Sequence, residues 1–469
     1  REHPEWVSHT DPANWAPDTI KKNEVAIMCY NSPYVDKVAI PQMKEIIEKY
    51  DIDGFFIDIV VQQYLEWNCH CPCCKDLYAR EMGGEIPASD ADPKAFAYRK
   101  WSNRHMEQLM EHVHREVSSV KPDVAIIFNY TWMFTYPVTP PEYMPYLTWD
   151  TPTPNVGNYS YNFSLETRYL NTLPDVPFSC MNTQGNNWGE YNLRETDAFQ
   201  QECAILLAGC GGNYLSDIPY PSGNPAQAVY TEFGKVNDRF KTLEPLLAGS
   251  KPVREVAVLH SPDSIWSKSP VRPKPSWNYT PPYHSVAGAH KALVELHVET
   301  GIINSGVCID SLGDYRALVL SDQRILSDAE AAKIREFVKK GGALLVTHET
   351  GTRDDANNRL PDFMLADMLG VKHVEGVADA GNCYLRATPE MAKYDVPMMD
   401  VEAGGGYTRV ALAGAKKLAD LVPPYRKAKA GPPDTVADGP GVTINTYGAG
   451  KVVYCAADIF GGYYRKGTP

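Results

Sequence analysis

Apolar positions in the first half of the chain fall in short blocks that alternate between two periods. Over 34–49, Ile40, Met43, Ile46 and Ile47 share one face at helical spacing. The run DGFFIDIVV at 53–61 is nearly continuous, as a parallel strand buried on both faces requires. The pattern then predicts an amphipathic helix over 93–120 and a strand at 124–129. Further strands are expected at 146–149, 177–181 and 213–215, with a helix over 196–207 between the last two. This βα rhythm predicts a (β/α)8 barrel. Only five strands can be counted before residue 250, too few for closure. The expectation is that the chain begins after the barrel's third strand and lacks about a hundred residues of it.

After a strand at 255–259 comes a stretch holding Pro262, Pro270, Pro273, Pro275, Pro281 and Pro282. A second βα domain follows, with helices over 284–299 and 328–340 and strands at 317–320 and 343–347. Residues 376–440 are rich in Gly, Pro and Ala and weakly patterned, so they are expected to form an insertion. Two strands, GVTINTYG and KVVYCAAD, then close the domain. The boundary between the domains is expected at 250/251. The fold class is α/β throughout.

Composition narrows the function. With 469 residues, 43% hydrophobic and 22% charged, the chain can bury two or three cores. No apolar run approaches the ~20 residues of a membrane helix. The net charge of −13 argues against nucleic acid or an anionic membrane as the main partner. A neutral small molecule or glycan fits better, and 28 Tyr supply stacking surface.

The 11 cysteines include four within six residues, a distribution unlike a secreted disulfide framework. Cys69, Cys71 and Cys74 form C-x-C-x2-C, which can supply three of the four soft ligands of a tetrahedral zinc. Cys29, in MCYNSPY, is the best fourth ligand, and Cys73 is left spare. With no water-activating His/Glu set beside it, such a zinc would be structural. A reduced cluster fits a reducing, cytoplasmic compartment better than an oxidising one. His105, His112 and His114 are read as solvated face residues of the long helix.

The run CYNSPY, a helix, a strand ending in Asp and then C-x-C-x2-C resembles the β-galactosidases of glycoside hydrolase family forty-two. PFSCMNTQGNNWGEYN at 177–192 resembles that family's seventh barrel strand. The second domain is similar to its flavodoxin-like, class I glutamine-amidotransferase-like trimerisation domain. The acid/base Glu of that family falls on Val60 and its nucleophile Glu on Asn182, so its chemistry is not expected here. A nearer resemblance is to the α-L-fucosidases of family one hundred and fifty-one and related hypothetical glycosyl hydrolases. It implies an Asp nucleophile at the end of the fourth barrel strand, and Asp58 stands at that place. The resemblance of the second domain to the β-galactosidase trimerisation domain implies a homotrimer or stacked hexamer.

Read by themselves, the residues agree in kind. Asp58 follows an apolar strand, at the barrel mouth where a carboxylate can attack an anomeric carbon; the plain alternative is a loop cap. A second carboxyl group is needed, and Asp150, Glu190 and Asp217 all follow or end strands. Asp150 is preferred over Glu190, and each can instead bind hydroxyls. Trp132, Trp149 and Trp188 can stack on a sugar ring or pack in the core, and Asn129 and Asn182 can hold hydroxyls or tie loops. The expected activity is that of a retaining exo-α-L-fucosidase-like glycosidase. The alternatives are a β-galactosidase-like hydrolase of other specificity and a silent carbohydrate-binding scaffold. The second domain carries no Cys at a strand-to-helix elbow and no G-x-S-x-G. Cys308 and Cys455 read as core. The face Val286, Ala289, Leu293 and Leu296 is expected to bury surface between subunits.

Overall fold

The computed structural model describes residues 3–8, 28–58, 69–88, 92–129, 141–150, 159–173, 176–183, 193–217, 219–268, 283–306, 309–378, 382–394, 399–404, 406–424, 432 and 437–466. Trp132, Trp188, Glu190, Val60 and Cys308 lie outside them. The chain divides into two compact units, Arg1–Thr148 with Lys268–Thr280, and Trp149–Ser267 with Pro281–Pro469.

In the first unit a π-helical turn, Val35–Ala39, leads into helix α1 (Ile40–Lys49). Strand β1 (Gly54–Ile57) pairs in parallel with β2 (Ala125–Phe128), from Gly54↔Ala125 to Ile57↔Phe128. Glycine is required at the start of β1, because a Cβ on Gly54 would lie 2.4 Å from the Ala125 carbonyl oxygen. Between the strands run α2 (Pro72–Met82) and α3 (Ala95–Ser118). Met106, Met110, Val113 and Val117 of α3 are buried along one helical stripe. Two of the histidines expected to be solvated have carboxylate partners instead: His105 Nε2 lies 2.7 Å from Glu81 and His112 Nε2 2.6 Å from Asp36.

Strand β3 (Leu147–Asp150), which the division cuts after Thr148, forms a three-stranded sheet with β4 (Phe178–Thr183) and β5 (Gly212–Ser216), in that order. Helices α4 (Tyr159–Leu170), α5 (Thr196–Ala208) and α6 (Gln227–Leu247) accompany it. The five strands expected from the pattern before residue 250 are thus all present.

A nine-stranded sheet follows. Its parallel half comprises β6 (Val256–His260), β7 (Thr300–Asn304), β8 (Ala317–Ser321), β9 (Ala343–Thr347) and β16 (Gly450–Cys455), in the spatial order β7-β6-β8-β9-β16. That is the 2-1-3-4-5 order of flavodoxin-like folds. Helices α7 (Pro262–Lys268), α8 (His284–Glu295), α9 (Asp328–Lys339), α10 (Ala366–Leu369) and α11 (Ile459–Lys466) pack with this half. Where an unpatterned insertion was expected, the chain builds β10 (Val371–Ala378), β11 (Asn382–Ala387), β12 (Asp400–Gly404), β13 (Tyr407–Leu412) and β14 (Lys416–Val422). With β15 (Pro440–Tyr447), strands β11, β12 and β14 extend the sheet in antiparallel fashion, while β10 pairs with β13. Short antiparallel strands interrupted by Gly and Pro leave little periodicity to read.

Polar bonds sew α4 to the nine-stranded sheet, and the second compact unit takes in both. Thr172 Oγ1 donates to the Ile302 carbonyl at 2.7 Å, and Asn304 Nδ2 donates to Tyr169 Oη at 2.8 Å. Arg168 reaches the Thr300 carbonyl at 3.0 Å and Tyr464 Oη reaches Asn162 at 3.0 Å. The apolar face of α8 is covered by α11 within the same chain. Val286 and Ala289 are buried, and a Cβ on Gly288 would lie 1.9 Å from the Phe460 carbonyl oxygen. The first half of that face is therefore closed, whereas Leu293 is half-buried and Leu296 is exposed.

His290 of α8 sits in this seam, fully buried, its Nε2 3.0 Å from Ser164 Oγ. Burial, reinforced by the Arg168 charge, pushes it down to about 3. Its unfolded value is roughly 6.5, so the unfolded state binds the extra proton between those values. Stability is then lost as pH falls below about 6.5, by roughly 2 kcal/mol at pH 5. Urea midpoints at pH 7 and pH 5 should show His290→Asn losing less over this interval than the unsubstituted protein does.

Candidate functional site

The register Ile57↔Phe128 places the next residues, Asp58 and Asn129, side by side at the carboxyl ends of adjacent parallel strands. Asn129 N–H continues the ladder to the Ile57 carbonyl at 2.9 Å, and its Nδ2 donates to Asp58 Oδ1 at 2.9 Å. Asn129 is buried while Asp58 is exposed. An exposed carboxylate held by a buried amide at a strand tip lies where α/β barrels carry their chemistry.

In the second unit, Asp150 is the last residue of β3. Asp217, just past β5, is half-buried, and its Oδ2 has no hydrogen-bond partner among the described residues. Two residues considered for sugar contact are engaged elsewhere. Trp149 is 1% exposed and packs edge-on against Tyr169 of α4, so it serves the core. Asn182 is fully buried: its Oδ1 accepts from Arg194 Nη1 at 3.1 Å and its Nδ2 faces Cys203 Sγ at 3.4 Å. Arg194 in turn pairs with buried Glu202 of α5. Cys180, two residues earlier on the same strand, faces Glu166 of α4, and alternation puts Asn182 on that same helix-facing side. It anchors a buried ion pair and is closed to substrate. Burial raises the Glu202 carboxyl despite the Arg194 guanidinium beside it.

The cysteine cluster lies in the first unit. The sulfurs of Cys29, Cys69, Cys71 and Cys74 all fall within 4.8 Å of one another and are buried. Pro72 opens α2 directly after Cys71, whose sulfur accepts from Cys74 N–H at 3.4 Å, so the spacing folds into a helix-capping knuckle. Tyr78, Tyr98 and Trp101 wall it in. Cys73 is half-exposed and outside the group. Hydrogen bonding with Cys29 holds the Cys69 thiol far below its ordinary value, and the same contact pushes Cys29 up. A tetrahedral ZnS4 centre has sulfur–sulfur edges of about 3.8 Å, so the four donors fit that ion in number, softness and spacing.

In the flavodoxin-like half, ligands would enter between the ends of β6 and β8. That crevice is filled from within. Gln323 accepts from Ser261 N–H at 2.9 Å and donates to the Ser321 carbonyl at 2.9 Å, while Ser264 Oγ accepts from Ile325 N–H at 3.0 Å. The turn after β9 is occupied by His348, at φ +52°. Its Nδ1 lies 3.1 Å from Asp322, itself at φ +51°. No pattern along the chain announces this pair, because a left-handed backbone at His or Asp has no period. Cys455 is buried in β16 and pushed up to about 12 by burial.

Barrel-type βα strands with carboxylates at their tips and a flavodoxin-like domain make an architecture similar to that of family-forty-two glycoside hydrolases. Residues 1–139 match the model of the Glycosyl hydrolase-like 10 family, and residues 254–466 match the β-galactosidase trimerisation domain. Among solved structures, α-L-fucosidase isoenzyme 2 from Paenibacillus thiaminolyticus matches 100% of this chain and 67% of its own, with a TM-score of 0.74 and 23% identity. The β-galactosidase from Bacillus circulans sp. alkalophilus matches 99% of this chain and 75% of its own, with a TM-score of 0.74 and 15% identity. Both likenesses establish the fold. Beta-galactosidase BgaA of Clostridium cellulovorans is 24% identical over 242 residues, 50% of this chain. The chain spans 33% of the length of that curated relative.

Proposed function

We propose that the protein is a retaining, exo-acting α-L-fucosidase-like glycosidase with Asp58 as nucleophile. A second carboxylate, Asp150, Glu190 or Asp217, serves as acid/base. The observation that carries the reading is the Asp58–Asn129 pair, an exposed carboxylate fixed at the tips of adjacent parallel strands. Likeness to a solved α-L-fucosidase supports the sugar class, and the replacement of both family-forty-two glutamates argues against galactosidase chemistry by that machinery.

In the first step Asp58 bonds to the anomeric carbon as the glycosidic bond breaks, and the acid protonates the departing oxygen. In the second, water attacks the same carbon, the base takes its proton, and Asp58 is released. Cys29, Cys69, Cys71 and Cys74 would hold a zinc that supplies no chemistry to these steps and staples the first unit. The second domain serves assembly as a homotrimer or stacked hexamer, which light scattering on the full-length protein reads directly. A panel of 4-nitrophenyl glycosides tests the activity. The α-L-fucoside should be turned over in preference to the β-D-galactoside, and hydrolysis of the galactoside alone would overturn the assignment.

A further inference from the structure

We propose that Asn129 is a positioning residue that governs the second half of the reaction, by stabilising the Asp58 carboxylate when it leaves the sugar. The proposal rests on the reading of Asp58 as nucleophile. The parallel register brings the two residues level, one step beyond Ile57↔Phe128. The Asn129 backbone is locked by its 2.9 Å bond to the Ile57 carbonyl, and its side chain is buried. An ionised carboxylate only accepts hydrogen bonds, so the amide must turn its Nδ2 toward Asp58. It does so at 2.9 Å from Oδ1.

The bond to Oδ1 leaves Oδ2 as the oxygen that attacks. When the C1–Oδ2 ester forms and the aglycone departs with the acid's proton, Oδ1 becomes a neutral ester carbonyl. The Asn129 bond then weakens, because hydrogen bonds to charged acceptors are roughly twice as strong as neutral ones. When water attacks C1 and the C1–Oδ2 bond breaks, the electron pair returns to Asp58 and the strong bond is regained. Asn129 therefore favours the free carboxylate over the glycosyl ester and makes Asp58 a better leaving group. Removing the amide should slow release of the sugar more than its capture.

The test uses full-length protein with 4-nitrophenyl α-L-fucoside, for the unsubstituted chain, Asn129→Ala, Asn129→Asp and Asp58→Asn. Asn129→Asp is nearly isosteric and replaces the donor with a charge, so it serves if the alanine variant fails to fold. The expected result for both Asn129 variants is a kcat lowered about tenfold, with KM falling alongside it. A nitrophenolate burst should approach one equivalent per chain, with a fucosyl adduct on the intact mass. A fall in kcat with no burst and no adduct, or unchanged kinetics, overturns the proposal while leaving Asp58 as nucleophile. Undiminished turnover by Asp58→Asn, or no turnover by the unsubstituted protein, instead overturns the functional reading and the positioning role with it.

Discussion

Asp58→Asn is expected to lower kcat/KM on an aryl α-L-fucoside by roughly a thousandfold or more, the scale on which loss of a covalent nucleophile is felt. The substitution keeps the side chain's shape and its neighbour Asn129 but removes the electron pair that attacks. In the truncated Asp58→Gly variant, where the missing side chain leaves room, azide should restore turnover. A single displacement by azide inverts the anomeric centre, so the product should be the β-L-fucosyl azide. Removal of the acid/base behaves differently, and this separates the three alternatives. Of Asp150→Asn, Glu190→Gln and Asp217→Asn, the variant that removes the true acid should still cleave a nitrophenyl leaving group, which needs little protonation. It should lose activity on alkyl fucosides by roughly a hundredfold or more, and with azide it should give the α-product of two displacements. Retention of full activity by Asp58→Asn would remove the nucleophile assignment.

The sequence discloses the barrel strands well and their faces poorly. Strands β1 and β5 are only half-buried, whereas β2 and β4 are buried along most of their length, which makes such runs conspicuous. The same burial hides which side faces the substrate. Asn182 follows Met181 in an unbroken buried run, so the pattern could not show that it points toward Arg194 and Cys203. A one-residue step inverts every side chain of a strand, and for that reason the sequence left Asn182 and Trp149 open both to a sugar and to the interior. Asp58 was easier, because a carboxylate that ends an apolar strand announces the strand's tip. The bond from Asn129, 71 positions away, depends on register, which no local pattern reports. The seam between α4 and the nine-stranded sheet was hidden for another reason. It is built from single polar bonds such as Thr172 to Ile302, which have no period.

The cysteine knuckle was legible because thiol chemistry is rare enough to stand out even across the 45 positions between Cys29 and Cys74. Its consequence for stability should be large. Four buried sulfurs within 4.8 Å of one another leave no room for four thiolates without a cation, since each added negative charge opposes the next. A bound zinc would tie the turn after Cys29 to the start of α2, and its binding energy would count toward folding. Protein purified without chelator should therefore carry about one zinc per chain. Cys71→Ser removes one ligand and the sulfur that caps α2, and should lower both zinc occupancy and the melting temperature, the latter by roughly 10 °C. Cys73→Ser is the matched control: its thiol lies half-exposed outside the cluster, so zinc content and melting should stay as they are. Cys69 follows Asp58 by eleven residues, so loosening the staple should also disturb the nucleophile and lower kcat in the Cys71 variant alone. Zinc-free protein whose melting temperature is unmoved by Cys71→Ser would show that the four thiols merely pack together.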